Sequence, residues 1–224
     1  MTTFNNILLS TACFAPIQYM AKLIQYEHTF IEQHENFTKQ TYRNRYIVSG
    51  ANGPLTLVVP VVKGRGRKIK IRDLQISYDT DWQRNHWRTI FSAYNSSPFF
   101  EYYQDDLQPF YNKPWNYLFD FNIAAIYTLC DLLELEVNIH LTPDYELVPE
   151  NTINFRESIT PKSAKAAPDN LFQPNPIHRS LPAALVSFLI LVYSICFLMK
   201  DPIVLVFFRI QYRIPETEIS RLMN

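Results

Sequence analysis

The chain has 224 residues, with 21 Lys and Arg against 21 Asp and Glu, and 47% hydrophobic composition. That length suits one domain of ordinary size with a real core, and a formal charge of zero argues against a dedicated nucleic-acid binder. The three cysteines, Cys13, Cys130 and Cys196, are too scattered for a disulfide framework or a metal pair, so a reducing cytosol is the expected compartment.

The N-terminus lacks the basic region of a signal peptide, since no Lys or Arg precedes Lys22. Ile7 to Ala12 reads as a short buried strand. Pro16 suits the first turn of a helix carrying Ile17, Met20, Leu23 and Ile24 on one face. Thr29 to Glu32 reads as a second strand, completing a βαβ unit. Tyr42 to Val48 and Leu55 to Val62 are strands around the Asn52-Gly53 turn, with Pro60 marking an edge position. Lys63 to Lys68 is a basic connection, after which Ile69 and Ile71 alternate with cations as in a half-buried strand.

Trp82, His86, Thr89, Ile90 and Ala93 recur at helical spacing, as do Leu118, Phe121, Ala125, Ile126, Leu129, Leu132 and Leu133. Ten aromatics fall between Phe99 and Phe121. Most are expected in the core, with Tyr94, Tyr102 and Tyr103 open as a stacking surface. Val137 to Leu141 returns as a strand. Six prolines in residues 142–178 make that stretch an extended loop. The expected fold is α/β: a Rossmann-like, mainly parallel sheet with an added β-hairpin and packed helices. The domain plan is an α/β domain over 1–160, a proline-rich connection over 161–179, and an apolar tail over 180–224.

Several chemistries are excluded by spacing. Only Gly50, Gly53, Gly64 and Gly66 are present, so neither a P-loop nor a G-x-G-x-x-G turn can be built. The five histidines are dispersed, and His34-Glu35 lacks a second His at zinc-protease spacing, so no metal site is expected. The sequence leaves the cofactor open.

Five motifs occur in one order. They are Leu8-Leu9-Ser10-Thr11-Ala12 with Pro16-Ile17-Gln18-Tyr19; Ile31-Glu32 with Lys39-Gln40-Thr41-Tyr42-Arg43-Asn44-Arg45; and Leu57-Val58-Val59-Pro60-Val61. Trp82-Gln83-Arg84-Asn85-His86-Trp87 and Ala93-Tyr94-Asn95-Ser96-Ser97-Pro98-Phe99-Phe100 follow. In these the chain resembles the bacterial WbqC-like protein family. The resemblance implies a role near surface-polysaccharide synthesis, with glycyl or other acyl transfer onto O-antigen sugars suggested for such proteins.

The run from Lys39 to Arg45 is the leading candidate site. If extended, it places Lys39, Thr41, Arg43 and Arg45 on one face, where the cations would grip a carboxylate or phosphate. The competing reading is a solvated face whose charges pair with Glu32, Glu35 or Asp73. Gln18 and Tyr19 open the first helix just beyond a strand end, where α/β sheets bind ligands. His86 is the candidate general base, and Asn44 and Glu32 would orient the ligand. Cys13 reads as a core residue rather than a nucleophile.

The expected partner is therefore a small anionic ligand or an activated sugar or aminoacyl precursor. The expected activity is that of a cytoplasmic transferase acting on such a precursor in O-antigen-like (lipopolysaccharide) biosynthesis. The alternatives are a non-catalytic assembly factor for polysaccharide machinery and an inactive copy.

Residues 180–199 carry no charge and are long enough to cross a bilayer. Chains resembling this one end instead in Tyr-x-Gln-Val-Phe and then Leu-Asp-Leu-Leu-Phe-Asn-Glu-Gly-Pro. Reading the codons two bases later allows the first over Pro176 to Leu181 and the second over Val192 to Pro202. A frameshift between about Phe172 and Pro176 is the expectation, with membrane association only if the apolar run is genuine.

Overall fold

The computed structural model describes residues 5–50, 52–62, 68–96, 100–145, 150–161 and 169. The first strand, β1 (Asn6–Ser10), is buried through Ile7, Leu8 and Leu9, as a strand covered on both faces must be. The chain turns through Thr11 to Ala15 into α1 (Ile17–Gln25), capped by the extended Pro16, whose missing N–H costs nothing at a helix start. Ile17, Met20 and Leu23 face inward at helical spacing. The next strand, β2 (His28–Glu32), pairs parallel with β1 in the register Asn6 to His28 through Ser10 to Glu32.

The hairpin follows as β3 (Arg45–Gly50) and β4 (Gly53–Val58), antiparallel, with Gly50 opposite Gly53. Gly53 adopts φ 119°, a conformation that demands glycine and accounts for the Asn52-Gly53 signal. The second strand ends before Pro60, whose carbonyl instead accepts from Ser77 N at 2.9 Å.

Helix α2 (Trp82–Tyr94) is followed by α3 (Phe100–Leu107), the short α4 (Pro109–Asn112) and α5 (Leu118–Leu132). Two final strands, β5 (Ile139–Leu141) and β6 (Thr152–Asn154), complete a four-stranded parallel sheet of order β5-β2-β1-β6. Counted by sequence within the sheet, that is the order 3-2-1-4 of the Rossmann half, which reverses direction between β1 and β6. The fold is α/β with an added hairpin, as expected.

The core joins Ile7, Leu9 and Ile31 of the sheet to Met20 and Leu23 of α1 and to Phe121, Ala125 and Ile126 of α5. Each such aliphatic side chain, fully buried, contributes roughly 1.5–3 kcal/mol.

Three expectations need correction. The strand expected around Ile69 and Ile71 is a 3-10 turn over Ile71–Asp73, tied to its surroundings by isolated bridges such as Asn36 to Lys70. Ile71 alone is the buried anchor there, so two alternating apolar residues did not need a ladder. The loop expected over 142–178 contains β6, which reaches back to pair with Asn6 to Leu8. Residues 39–44 are bends and turns, not extended chain, and Gln40 has φ 59°, so a period of two does not apply to them.

Of the aromatics left open, Tyr103 is buried, Tyr102 is exposed, and Tyr94 is buried with its hydroxyl accepting from Ser49 N at 2.6 Å. Among the described residues, no helix is long and apolar enough to cross a membrane. The apolar run 180–199 and the interval of the expected frameshift lie outside the described residues.

Candidate functional site at the carboxyl ends of β1, β2 and β6

In an open parallel sheet the crevice for ligands lies beyond the strands' carboxyl ends, where the strand order reverses. Here that point lies between β1 and β6, and a small cleft opens there. Its walls include Ser10, Thr11, Tyr19, Tyr42, Arg43 and Arg156. Ser10 ends β1 and Thr11 follows it, Arg156 follows β6, and Tyr19 comes from the first turn of α1. Cys13 N donates to Tyr42 O at 2.7 Å, tying the β1–α1 turn to the segment that delivers Arg43.

The polar floor is a charged network. Arg43 donates through Nε to Glu35 Oε1 at 2.7 Å and through Nη2 to Glu35 Oε2 at 2.5 Å, a bidentate pair buried on both sides. The same Nη2 donates to Ser10 Oγ at 2.7 Å and approaches the exposed Glu157 at 3.4 Å. Ser10 has one hydrogen to give, placed between the Arg156 carbonyl at 2.6 Å and Glu35 Oε2 at 3.0 Å.

A second pair lies alongside. Arg156 Nη1 donates to Glu32 Oε2 at 3.1 Å, while Glu32 Oε1 accepts from His34 N at 2.7 Å and from Thr142 Oγ1 at 2.9 Å. Arg156 also covers the Tyr145 ring, its guanidinium 4.3 Å from the centroid. Burial pushes the Glu35 carboxyl above its ordinary value, and the hydrogen bonds and charge of Arg43 pull it part of the way back.

Two groups in this cleft have no partner among the described residues. Tyr19 Oη and Thr11 Oγ1 are buried and make no hydrogen bond, although their residues are only 2% and 1% exposed. A buried hydroxyl left unpaired costs about 1–3 kcal/mol, so two of them on one cleft wall ask for a ligand or water. Burial, aided by the Glu35 charge, pushes the Tyr19 phenol well above its ordinary value, so it stays a donor at neutral pH.

The remaining candidates fall elsewhere. Gln18 Nε2 donates to Asp169 Oδ2 at 2.9 Å, and the same carboxylate accepts from Lys22 Nζ at 2.9 Å. Lys22 is wholly buried, with Phe155 beneath its ammonium at 5.3 Å. Asn44 donates to Val59 O at 3.0 Å and holds the end of the hairpin. Lys39 is exposed, and Arg45 begins β3 half-buried. The alternation that would put Lys39, Arg43 and Arg45 on one face therefore does not apply, because residues 39–44 are bends and turns and only Arg45 is in a strand.

His86 is in a different network. Its Nδ1 lies 3.0 Å from Tyr46 Oη, which lies 2.9 Å from Tyr111 Oη, and Trp82 packs edge-on at 5.1 Å. Burial lowers the imidazole to about 4, so it is neutral at pH 7. Tyr46 and Tyr111 line a second, apolar cleft, together with Phe14, Val48, Ile90 and Tyr94. His86 packs behind that cleft, against the rings of Tyr46 and Tyr111. Phe14, at φ 42°, is held in an unfavourable left-handed conformation by Tyr46, Phe110, Tyr111 and Phe121 around its ring.

Sequence reasoning did not single out Ser10, Thr11, Glu35 or Arg156 as ligand-facing. Ser10-Thr11 directly after an apolar run was an available signal, since a strand's carboxyl end is where such residues meet ligands. Arg156 had none, because β6 was not seen.

No curated protein and no solved structure matches the chain. The model of the WbqC-like protein family matches residues 12–172, ending where the expected change of frame begins. That span exceeds half of the sequence and includes β2, β6 and most of the cleft, and the chain belongs to the WbqC-like protein family.

Proposed function

We propose that the protein is a transferase of surface-polysaccharide biosynthesis, acting in the cytoplasm on a small anionic activated precursor of the sugar-nucleotide, glycyl or acyl type. The precursor's anionic group enters the cleft at the point where the sheet order reverses. Tyr19 and Thr11 donate to it, and the guanidinium edges of Arg43 and Arg156 neutralise it. Glu32 and Glu35 hold those guanidiniums in place, with Ser10 between them. Assistance of this kind is positioning and electrostatic stabilisation rather than covalent chemistry.

The observation that carries this reading is the pair of buried hydroxyls without a partner among the described residues, on a cleft that Arg43 and Arg156 also line. A thermal-shift panel of nucleotides, nucleotide sugars and glycine tests it. At least one should raise the melting temperature of the full chain, and Tyr19→Phe should abolish that rise. No rise with any of them overturns the reading.

A second reading, a non-catalytic assembly factor, draws on the charge balance: Arg43 and Arg156 already have carboxylate partners. A co-purifying protein together with an empty ligand panel would favour it.

A further inference from the structure

The sequence spaces no histidines for a metal, but strand pairing joins two that lie 112 positions apart. In the parallel register of β2 and β5, Phe30 lies opposite His140. His28, two residues before Phe30, therefore shares its sheet face. His140 Nε2 stands 3.4 Å from His28 Nδ1, with the ring centroids 5.4 Å apart. Phe30 stacks on the His140 ring at 5.2 Å and 28°, limiting its rotation. Thr29 N donates to Asn138 O at 2.9 Å and fixes the register on which the pair depends.

The 3.4 Å separation exceeds the usual 2.7–3.2 Å of a good N–H hydrogen bond, so the two rings are weak partners for each other. It does fit two ligands on one ion. Zinc binds imidazole nitrogen at about 2.0–2.1 Å, and two such bonds at the tetrahedral angle place the nitrogens about 3.3–3.4 Å apart.

We propose that His28 and His140 form a binding site for a zinc-type divalent cation, with water in the remaining positions. Among the described residues no group of three or more His, Cys, Asp or Glu is placed to hold a metal, so the coordination stays open. Both residues are accessible to a hydrated ion. The ion would clasp the three-residue β5 onto β2. The site lies at the amino end of β2, away from the cleft at the carboxyl end, and stands whether or not the proposed function does.

Calorimetric titration of the tag-free full chain with zinc chloride tests it. One equivalent should bind and raise the melting temperature. His28→Gln and His140→Gln should each lose both effects while melting normally without zinc, and His34→Gln should keep them. Absence of binding by the native chain, or binding that survives both substitutions, overturns the proposal.

Discussion

Two buried polar networks flank the β1–α1 turn, and they differ in kind. The one at the strand ends is built from charges, Arg43 with Glu35 and Arg156 with Glu32, and leaves two hydroxyls on its cleft wall unpaired. The one behind the hairpin is neutral and chained, His86 to Tyr46 to Tyr111. On the proposed reading, the unmet hydroxyls beside the paired charges are where the ligand binds, whereas the unmet Trp82 Nε1 beside His86 sits among packed rings. A closed chain of neutral groups stabilises the fold. His86 thus lies in the neutral network, while Tyr19, Glu32 and Arg43, singled out from the sequence, lie at the strand-end cleft with Ser10, Thr11, Glu35 and Arg156, which were not.

The sharpest way to break this contrast is Glu35→Ala. It strands Arg43 in the interior without its bidentate partner, and breaking a buried pair from one side costs about 3–5 kcal/mol. Urea unfolding should show that loss, and a change below 1 kcal/mol would mean the pair is effectively solvated.

The neutral network should answer to acid. His86 is held near 4 against an ordinary 6.5, so the unfolded chain takes up its proton first. Its contribution is complete above pH 6.5 and is lost as pH falls toward 4, reaching about 2 kcal/mol at pH 5. Unfolding curves at pH 7 and pH 5 measure this, and His86→Gln should remove that part of the pH dependence.

Tyr46→Phe is a milder probe of the same chain. It deletes both hydroxyl contacts and should cost about 1.5 kcal/mol, read from the denaturation midpoint, without altering any ligand response at the strand ends.

How much of this was legible beforehand follows from the range of each interaction. The first βαβ unit, α2 and α5 were readable because apolar residues recur at strand or helix spacing within a few positions, and Gly53 marked its own turn. The fourth strand of the sheet, β6, was not, because three residues inside a proline-rich stretch take their identity from Asn6 to Leu8 far upstream. The grouping of Lys39, Arg43 and Arg45 assumed extended chain, whereas residues 39–44 are bends and turns. The pairing of Arg43 with Glu35 was foreseen among the alternatives, since both lie in one short connection. Nothing local tied either to Ser10, or Glu32 to Arg156, since those contacts exist only once β1, β2 and β6 lie side by side.

The smallest expected change in stability is also the most telling. Tyr19→Phe removes a hydroxyl with no partner among the described residues, so the unfolding free energy should stay within about 0.5 kcal/mol of the parent or rise slightly. The same substitution should erase the melting-temperature rise given by the anionic precursor that stabilises the parent. A clear loss of stability, with the ligand response intact, would contradict the assignment of this cleft as the binding site.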